Sequence, residues 1–277
     1  RKMLLCLTLC LSLFLAFSPA SASNTKLHSC FSAVQPGDNF RQVMGDAARF
    51  DCTSQQSQLA PGNYWIKMTV PASAQPKDKG MVFRTASLWD DGFEIWALHS
   101  DGLVRHYAPF TKQAINPMRL GATIVVPLRT HTAPVITLLS KVQNSGAVRG
   151  VMLQSQLSTS DSALTFEMAL AVLYAGFVGI CIALLVYNIA LWRGMREPFL
   201  LAYCAMLTTT LAYGIATSGA PHYFVDGLSG TDRLRITIPL LAIAAASALI
   251  FIRYFFENDH VPKWLVRITY AQAGLMS

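Results

Sequence analysis

A run of twenty-five residues without a charged side chain, at positions 168–192, limits what this chain can fold into. Charged residues make up only 13% of the 277 positions and hydrophobic residues 53%, against about 25% and about 45–50% in typical soluble domains. About twenty apolar residues are enough for a helix to cross the hydrocarbon core of a bilayer. The run therefore predicts a membrane-spanning helix.

Two further apolar stretches follow the first one. They predict helices over about 199–221 and 234–256, and a fourth apolar segment starts at about 264. Arg193 and Arg196 come directly after the first stretch, and positive residues beside a span favour the cytoplasmic side. The first helix is therefore expected to run inward, with the preceding residues outside the cell.

Residues 1–22 predict a secretory signal peptide. Arg1 and Lys2 precede an apolar run that ends in an Ala-Ser-Ala sequence at positions 20–22, where cleavage is expected. An uncleaved membrane anchor is the alternative for this segment. Export would carry the following part of the chain across the membrane.

Two cysteines, Cys30 and Cys52, lie in the part of the chain expected outside the cell, residues 23–162. An oxidising compartment favours a disulfide between them, and such a loop would contribute roughly 3 kcal/mol by the chain-entropy estimate. Two unpaired cysteines are the alternative. The disulfide is the prediction.

Residues 23–162 show short alternating runs broken by turn residues, which predicts an all-β jelly-roll-like sandwich. Residues 64–70 alternate as a half-buried strand does. Hairpins are predicted at 93–107, around Ser-Asp-Gly, and at 135–153, around Asn-Ser-Gly. Residues 155–162 are expected to form a Ser/Thr-rich tether to the α-helical, polytopic membrane domain at 163–277.

Flat aromatic rings beside polar groups are the candidate ligand-binding residues of the sandwich, since such rings hold sugars and other amphipathic solutes. The candidates are Trp65, Arg84, Trp89, Trp96, His106 and Tyr107. The alternative is that most of these rings fill the core. A small solute, such as a carbohydrate, is the expected ligand.

Several other functions find little support in the sequence. The net charge of +7 does not predict a nucleic-acid partner, because Arg1 and Lys2 belong to the predicted signal peptide and the other charges are scattered or stand at helix ends. His99 and His106 are too few for a zinc site. Because no nucleotide loop, nucleophile motif or carboxylate pair is recognisable, no catalytic residue, metal or cofactor is predicted, and binding is the expected task.

Short signatures in the apolar part resemble a known family. They are Leu173-Tyr174-Ala175-Gly176, Tyr187-Asn188-Ile189-Ala190-Leu191, Arg196-Glu197-Pro198-Phe199-Leu200, Tyr203 and Phe251-Ile252-Arg253-Tyr254-Phe255-Phe256. Together they resemble the bacterial seven-transmembrane receptors with diverse intracellular signalling modules, the 7TMR-DISM family. The exported part resembles the jelly-roll extracellular domain of that family.

This resemblance implies a homodimeric, multi-pass receptor of the bacterial inner membrane, with the sandwich on the periplasmic or extracellular side. Residues 163–277 would form only the first half of the seven helices. In the family a cytoplasmic output module follows, often a diguanylate cyclase or a histidine kinase, so whether the intact protein is an enzyme depends on a module absent from this chain. A transporter or channel component is the alternative, although the visible spans carry few charges and no broken-helix pair.

Overall fold

The computed structural model describes residues 25–74, 80–86, 90–110, 118–146, 150–225, 228 and 230–255. Three sequence predictions lie outside these residues: the signal peptide at 1–22, the candidate Trp89 and the fourth apolar segment from 264. The chain divides into two compact units, Arg1–Val172 and Leu173–Ser277. The first unit contains the strands, and the second contains most of the long apolar helices.

The described strands form two antiparallel sheets. The strands are β1 (Thr25–Lys26), β2 (Ser29–Ala33), β3 (Gly62–Thr69), β4 (Met81–Ala86), β5 (Gly92–His99), β6 (Val104–Phe110), β7 (Met118–Arg119), β8 (Thr123–Leu128), β9 (Val135–Ser145) and β10 (Leu153–Thr159). Sheet I has the order β1-β10-β4-β8-β7, and sheet II has the order β2-β3-β9-β5-β6. The chain crosses repeatedly between the two sheets, as a jelly-roll-like sandwich requires, so the predicted fold class is confirmed.

Alternating side chains build the core between the sheets. In β3, Tyr64, Ile66 and Met68 belong to the central apolar cluster, while Trp65 belongs to a second cluster on the other face. Phe83 of sheet I and Phe93 of sheet II stack in the core with ring centroids 6.2 Å apart. Burying one such side chain contributes about 1.5–3 kcal/mol. The predicted strand at 64–70 is therefore confirmed.

One of the two predicted hairpins is present. β5 and β6 pair in register with Leu98 opposite Val104, and Gly102 in their turn has a positive φ of 85°. The second hairpin prediction is wrong, because β9 pairs with β3 and β5 whereas β10 pairs with β1 and β4. Ser145 still pairs with Gly62 of sheet II, and Val151 and Met152, just before β10, are buried in the core between the sheets.

The predicted tether at 155–162 is also wrong. Its first five residues belong to β10, where Leu157 is fully buried in the core and Ser158 is buried on the opposite face. A helix starts at Ser160, directly after the strand. Serine and threonine are compatible with a strand when a neighbouring apolar side chain anchors it, so their composition alone did not identify a loop.

Four α-helices occur in the described part of the chain: α1 (Phe40–Gly45), α2 (Ser160–Met195), α3 (Pro198–Thr217) and α4 (Gly230–Phe255). The short α1 was not predicted. The last three helices are long and apolar enough to cross a membrane. α2 begins eight residues before the predicted 168, and α3 ends four residues before the predicted 221, where Gly219 adopts a positive φ of 82°.

Candidate functional site

The candidate ligand-binding residues occupy three different places in the sandwich. Trp65, Trp96 and His106 lie on the outer face of sheet II, away from the central core. Tyr107 points the other way, packs against the core and accepts a hydrogen bond on its hydroxyl from the Arg129 backbone nitrogen at 3.0 Å. Arg84 lies on sheet I. Of the five candidates that the structure describes, it therefore brings together three.

The two tryptophans fill a second, smaller core on the outer face of sheet II. Trp65 and Trp96 are 2% and 7% exposed, and their ring centroids lie 5.4 Å apart. Val43 of α1 and Leu139 of β9 complete the buried cluster. Both faces of sheet II are consequently covered, one by sheet I and one by residues 34–61, which we call the covering segment.

A search for long helices does not detect α1 in the covering segment, but the local sequence indicates this helix. The side chain of Asn39 caps α1 by accepting a hydrogen bond from the Arg41 backbone nitrogen at 3.1 Å. Phe40, Val43 and Met44 follow with the spacing of one helix face. A cap followed by this spacing predicts a helix even when only six residues long.

An ion pair and a disulfide fasten the covering segment. Arg49 donates from Nη1 to Asp38 Oδ1 at 2.7 Å, and Trp65 Nε1 donates to Asp38 Oδ2 at 3.0 Å. The hydrogen bonds from Arg49 hold the pKa of Asp38 well below its usual range. The structure also places a disulfide between Cys30 and Cys52, on either side of the segment's helix.

Trp96 is enclosed by two nearly parallel rings. Phe40 stacks on it with centroids 5.6 Å apart, and His106 stacks with centroids 4.6 Å apart. His106 Nε2 lies 2.9 Å from Glu94 Oε2, and this imidazole keeps 46% of its side chain exposed. With only 7% of Trp96 exposed, its indole is not open for stacking with a sugar ring.

A groove of about 580 Å³ runs between α1 and the β5–β6 hairpin, next to this ring stack. It is lined by Phe40, Arg41, Met44, Gly45, Leu98, Gly102, Leu103 and Val104. The volume is in the range of small-molecule sites. Five of the eight lining residues have large apolar side chains, and Arg41 is the charged one.

Arg84 packs against the first membrane helix instead of facing solvent. Its residue exposure is 2%, and its guanidinium carbon lies 3.9 Å from the ring centroid of Phe166 in α2. Gln156 of the neighbouring strand can accept from Arg84 Nη2 at 2.7 Å, while Nη1 has no hydrogen-bond partner among the described residues. Burial lowers the pKa of Arg84, and the charge of Glu167 opposes this effect.

Two glycines let the first turns of α2 approach sheet I. The Ser160 backbone nitrogen donates to the Gly80 carbonyl oxygen at 3.0 Å. A Cβ atom on Gly121, whose φ is +80°, would stand 2.9 Å from a methyl group of Leu170. A larger residue at position 121 would therefore be strained and would push against the helix.

Comparison with known proteins identifies the helical part. Residues 170–277 match the model of the family described as 7TM diverse intracellular signalling. The match covers 108 of the 277 residues, all of them in the helical part of the chain. The family implies a membrane receptor or signalling role, so the resemblance seen in the sequence is confirmed at this level. No curated protein matches the chain.

Residues that carry the resemblance to this family meet between α3 and α4. Tyr203 and Phe251 lie with ring centroids 5.3 Å apart, and Phe199 and Phe255 with centroids 6.3 Å apart. Deeper in the same pair, the hydroxyls of Thr209 and Ser247 are 2.7 Å apart. Polar pairs of this kind stabilise helix packing in lipid, and the family signature here coincides with a helix–helix interface.

Proposed function

We propose that this chain is the sensing and relay half of a bacterial receptor of the cell's inner membrane. The sandwich lies outside, binds a small solute, and shifts the membrane helices between two arrangements. A cytoplasmic output module, such as a diguanylate cyclase or histidine kinase, reads the shift in a homodimer. A ligand produces such a shift only through different affinities for the two arrangements.

The observation that carries this proposal is the direct passage from sheet to helix. Thr159 is still paired with Met81 in the sheet, and Ser160 is already the first residue of α2. α2 has 36 residues and is therefore about 54 Å long, more than the roughly 30 Å hydrocarbon core. A displacement of β10 is expected to move this helix because no flexible linker absorbs it.

The orientation follows from charge. Arg193 and Arg196 stand at the end of α2, and positive residues favour the cytoplasmic side of a span. This supports an outer position for the sandwich, where the predicted signal peptide would also deliver it. The proposed solute then reaches the sandwich without crossing the membrane.

The proposal is tested with the whole chain in lipid nanodiscs. A library of sugars, organic acids and amino acids is screened for a solute that raises the unfolding temperature. Hydrogen exchange is then measured with and without that solute. We expect altered exchange at residues 187–195, the far end of α2, as well as in the sandwich.

A variant with four flexible residues (Gly-Ser-Gly-Ser) inserted after Thr159 is the control. It should bind the solute with unchanged affinity but lose the effect at residues 187–195. Equal effects with and without the insertion would contradict the relay. Solute accumulation inside proteoliposomes would favour the alternative, a transporter or channel component.

A further inference from the structure

Apolar side chains form the floor and both walls of the groove between α1 and the β5–β6 hairpin. Leu98 and Val104 are a register pair and form the floor on the outer face of sheet II. Phe40 and Met44 of α1 form one wall, and Leu103 at the hairpin turn forms the other. A ligand in this groove would touch apolar carbon on three sides.

The groove also holds an apolar side chain that the fold leaves uncovered. Among the described residues before Ser160, the exposed large hydrophobic side chains are Leu103 and Ile136, at 40% and 41%. Ile136 lies outside the groove, whereas Leu103 lines it. Leu103 therefore adds exposed apolar surface to a concave site, where a ligand could cover it.

Charge at the groove is asymmetric. Arg41 is exposed, lies with its guanidinium carbon 5.8 Å from the Phe40 ring centroid, and forms no salt bridge with a described carboxylate. Two of the nearby acids have partners: Asp101 accepts from the Leu103 backbone nitrogen and contacts His131, and Glu94 contacts His106. The exposed Asp46 follows the lining residue Gly45, and its charge acts on Arg49. Arg41 is therefore the cation available to a ligand, and guanidinium groups bind carboxylates in a bidentate geometry.

The same features disfavour a sugar. The Trp96 ring is covered by Phe40 and His106, and Trp65 is buried. A sugar would need partners for several hydroxyl groups, and side chains with apolar carbon cannot supply them. Apolar walls and one cation instead match a molecule with an apolar body and one negative charge.

We infer that this groove binds a small amphipathic carboxylate, with its apolar body against Leu98, Leu103 and Val104 and its carboxylate on Arg41. This inference rests on the proposed receptor function and names the class of its signal. Binding would also press on Phe40, which stacks on Trp96, and so reach the second core.

The test is equilibrium dialysis of the whole chain in nanodiscs, with empty nanodiscs subtracted. The probes are phenylacetate and indole-3-acetate, the neutral amides of both, glucose and cellobiose. Each carboxylate should bind at least tenfold more tightly than its amide, and the sugars should not bind. Arg41→Gln should remove the preference for carboxylate, and Leu103→Asp should abolish binding of both forms.

Two matched variants serve as controls. Arg119→Gln removes an exposed arginine of sheet I, and Ile136→Asp changes an equally exposed apolar residue outside the groove. Both should bind the carboxylates as the unchanged chain does. The inference is overturned if no carboxylate binds above empty nanodiscs, if a sugar competes for the groove, or if Leu103→Asp has no effect.

These outcomes are separable from a failure of the proposed function. If carboxylates do not bind but another solute alters exchange at residues 187–195, the ligand class is wrong and the receptor function stands. If carboxylates bind with the expected variant pattern but exchange at 187–195 stays constant, the groove assignment stands and the relay is wrong.

Discussion

The outer faces of the two sheets are both covered, but by parts of the chain with different attachments. On sheet II, the covering segment is held by a disulfide and by the Asp38–Arg49 ion pair, and it packs around Trp65. On sheet I, the first turns of α2 pack over Arg84. One cover is thus internal to the sandwich, while the other continues into a helix that is long and apolar enough to cross a membrane.

This difference suggests a division of labour between the sheets. The sheet II side has an open groove beside a cross-linked cover. The sheet I side has a buried cation between a sheet and a helix, a contact that changes in energy when the helix shifts. Sheet II would then receive the signal, and sheet I would pass it on through β10.

The largest expected effect comes from emptying the second core. Trp65→Ala should lower the free energy of unfolding by about 3–5 kcal/mol, because it leaves a cavity and removes a hydrogen-bond donor from Asp38. Urea unfolding of the chain in nanodiscs measures this change. Trp65→Phe, which keeps most of the apolar volume, should cost clearly less. A loss below 1 kcal/mol for Trp65→Ala would mean that the second core contributes little.

The disulfide is the next largest contribution. Replacing Cys30 and Cys52 together by alanine should cost roughly 3 kcal/mol by the chain-entropy estimate. Faster hydrogen exchange should be concentrated in the covering segment, with residues 160–172 unchanged. Replacing Cys181 and Cys204, the two buried free cysteines of the helices, is the control for loss of sulfur. Equal acceleration of hydrogen exchange in the covering segment and at residues 160–172 would contradict the proposal that the two covers are stabilised independently.

Arg84 tests the other cover. Arg84→Gln should cost about 2 kcal/mol, since it removes a desolvated cation–aromatic contact with Phe166. Hydrogen exchange should accelerate at residues 160–172 and stay constant in the covering segment. Arg84→Lys keeps the charge and should recover part of the effect, whereas Arg119→Gln should have none. An effect confined to sheet II would contradict the assignment of this contact.

The sequence predicted the features that depend on local pattern. Alternation along 64–70, the Ser-Asp-Gly turn and the uncharged run at 168–192 each identified an element that the structure contains. Prediction from the sequence failed where contacts between distant parts of the chain determine the structure. Residues 147–153 alternate no differently from a hairpin strand, yet Val151 and Met152 are taken into the core between the sheets.

The candidate site shows the same limit. Trp65, Trp96 and His106 were chosen by residue type, and they do lie on one face. The two tryptophan rings are covered by residues of the covering segment, which has no long helix, whereas the His106 side chain remains 46% exposed. Arg84 is a residue type that often contacts ligands. Its burial becomes evident only from the position of α2, which packs over it. Residue type indicates what a side chain can bind, whereas the fold determines what reaches it.

The pH dependence of stability tests the sheet II side of the sandwich without altering either cover. Asp90, beside the start of β5, is 3% exposed, and burial raises its pKa to about 8. Between about pH 4 and 8 the unfolded chain releases this proton while the folded chain keeps it, so stability falls as pH rises, by at most about 1.4 kcal/mol per pH unit. Asp90→Asn should remove this slope, leaving stability at pH 4 nearly unchanged and raising it at pH 8.

The exposed Asp46 provides the matched control, since Asp46→Asn should retain the slope of the unchanged chain. Urea unfolding at pH 4, 6 and 8 measures all three proteins. If Asp90→Asn and the unchanged chain have the same slope, Asp90 is ionised in the folded sandwich and its burial is compensated by a hydrogen bond or a cation. If the slope disappears, neutral pH already weakens the sheet II end of the sandwich, and this side would respond to small perturbations more readily than the side packed on α2.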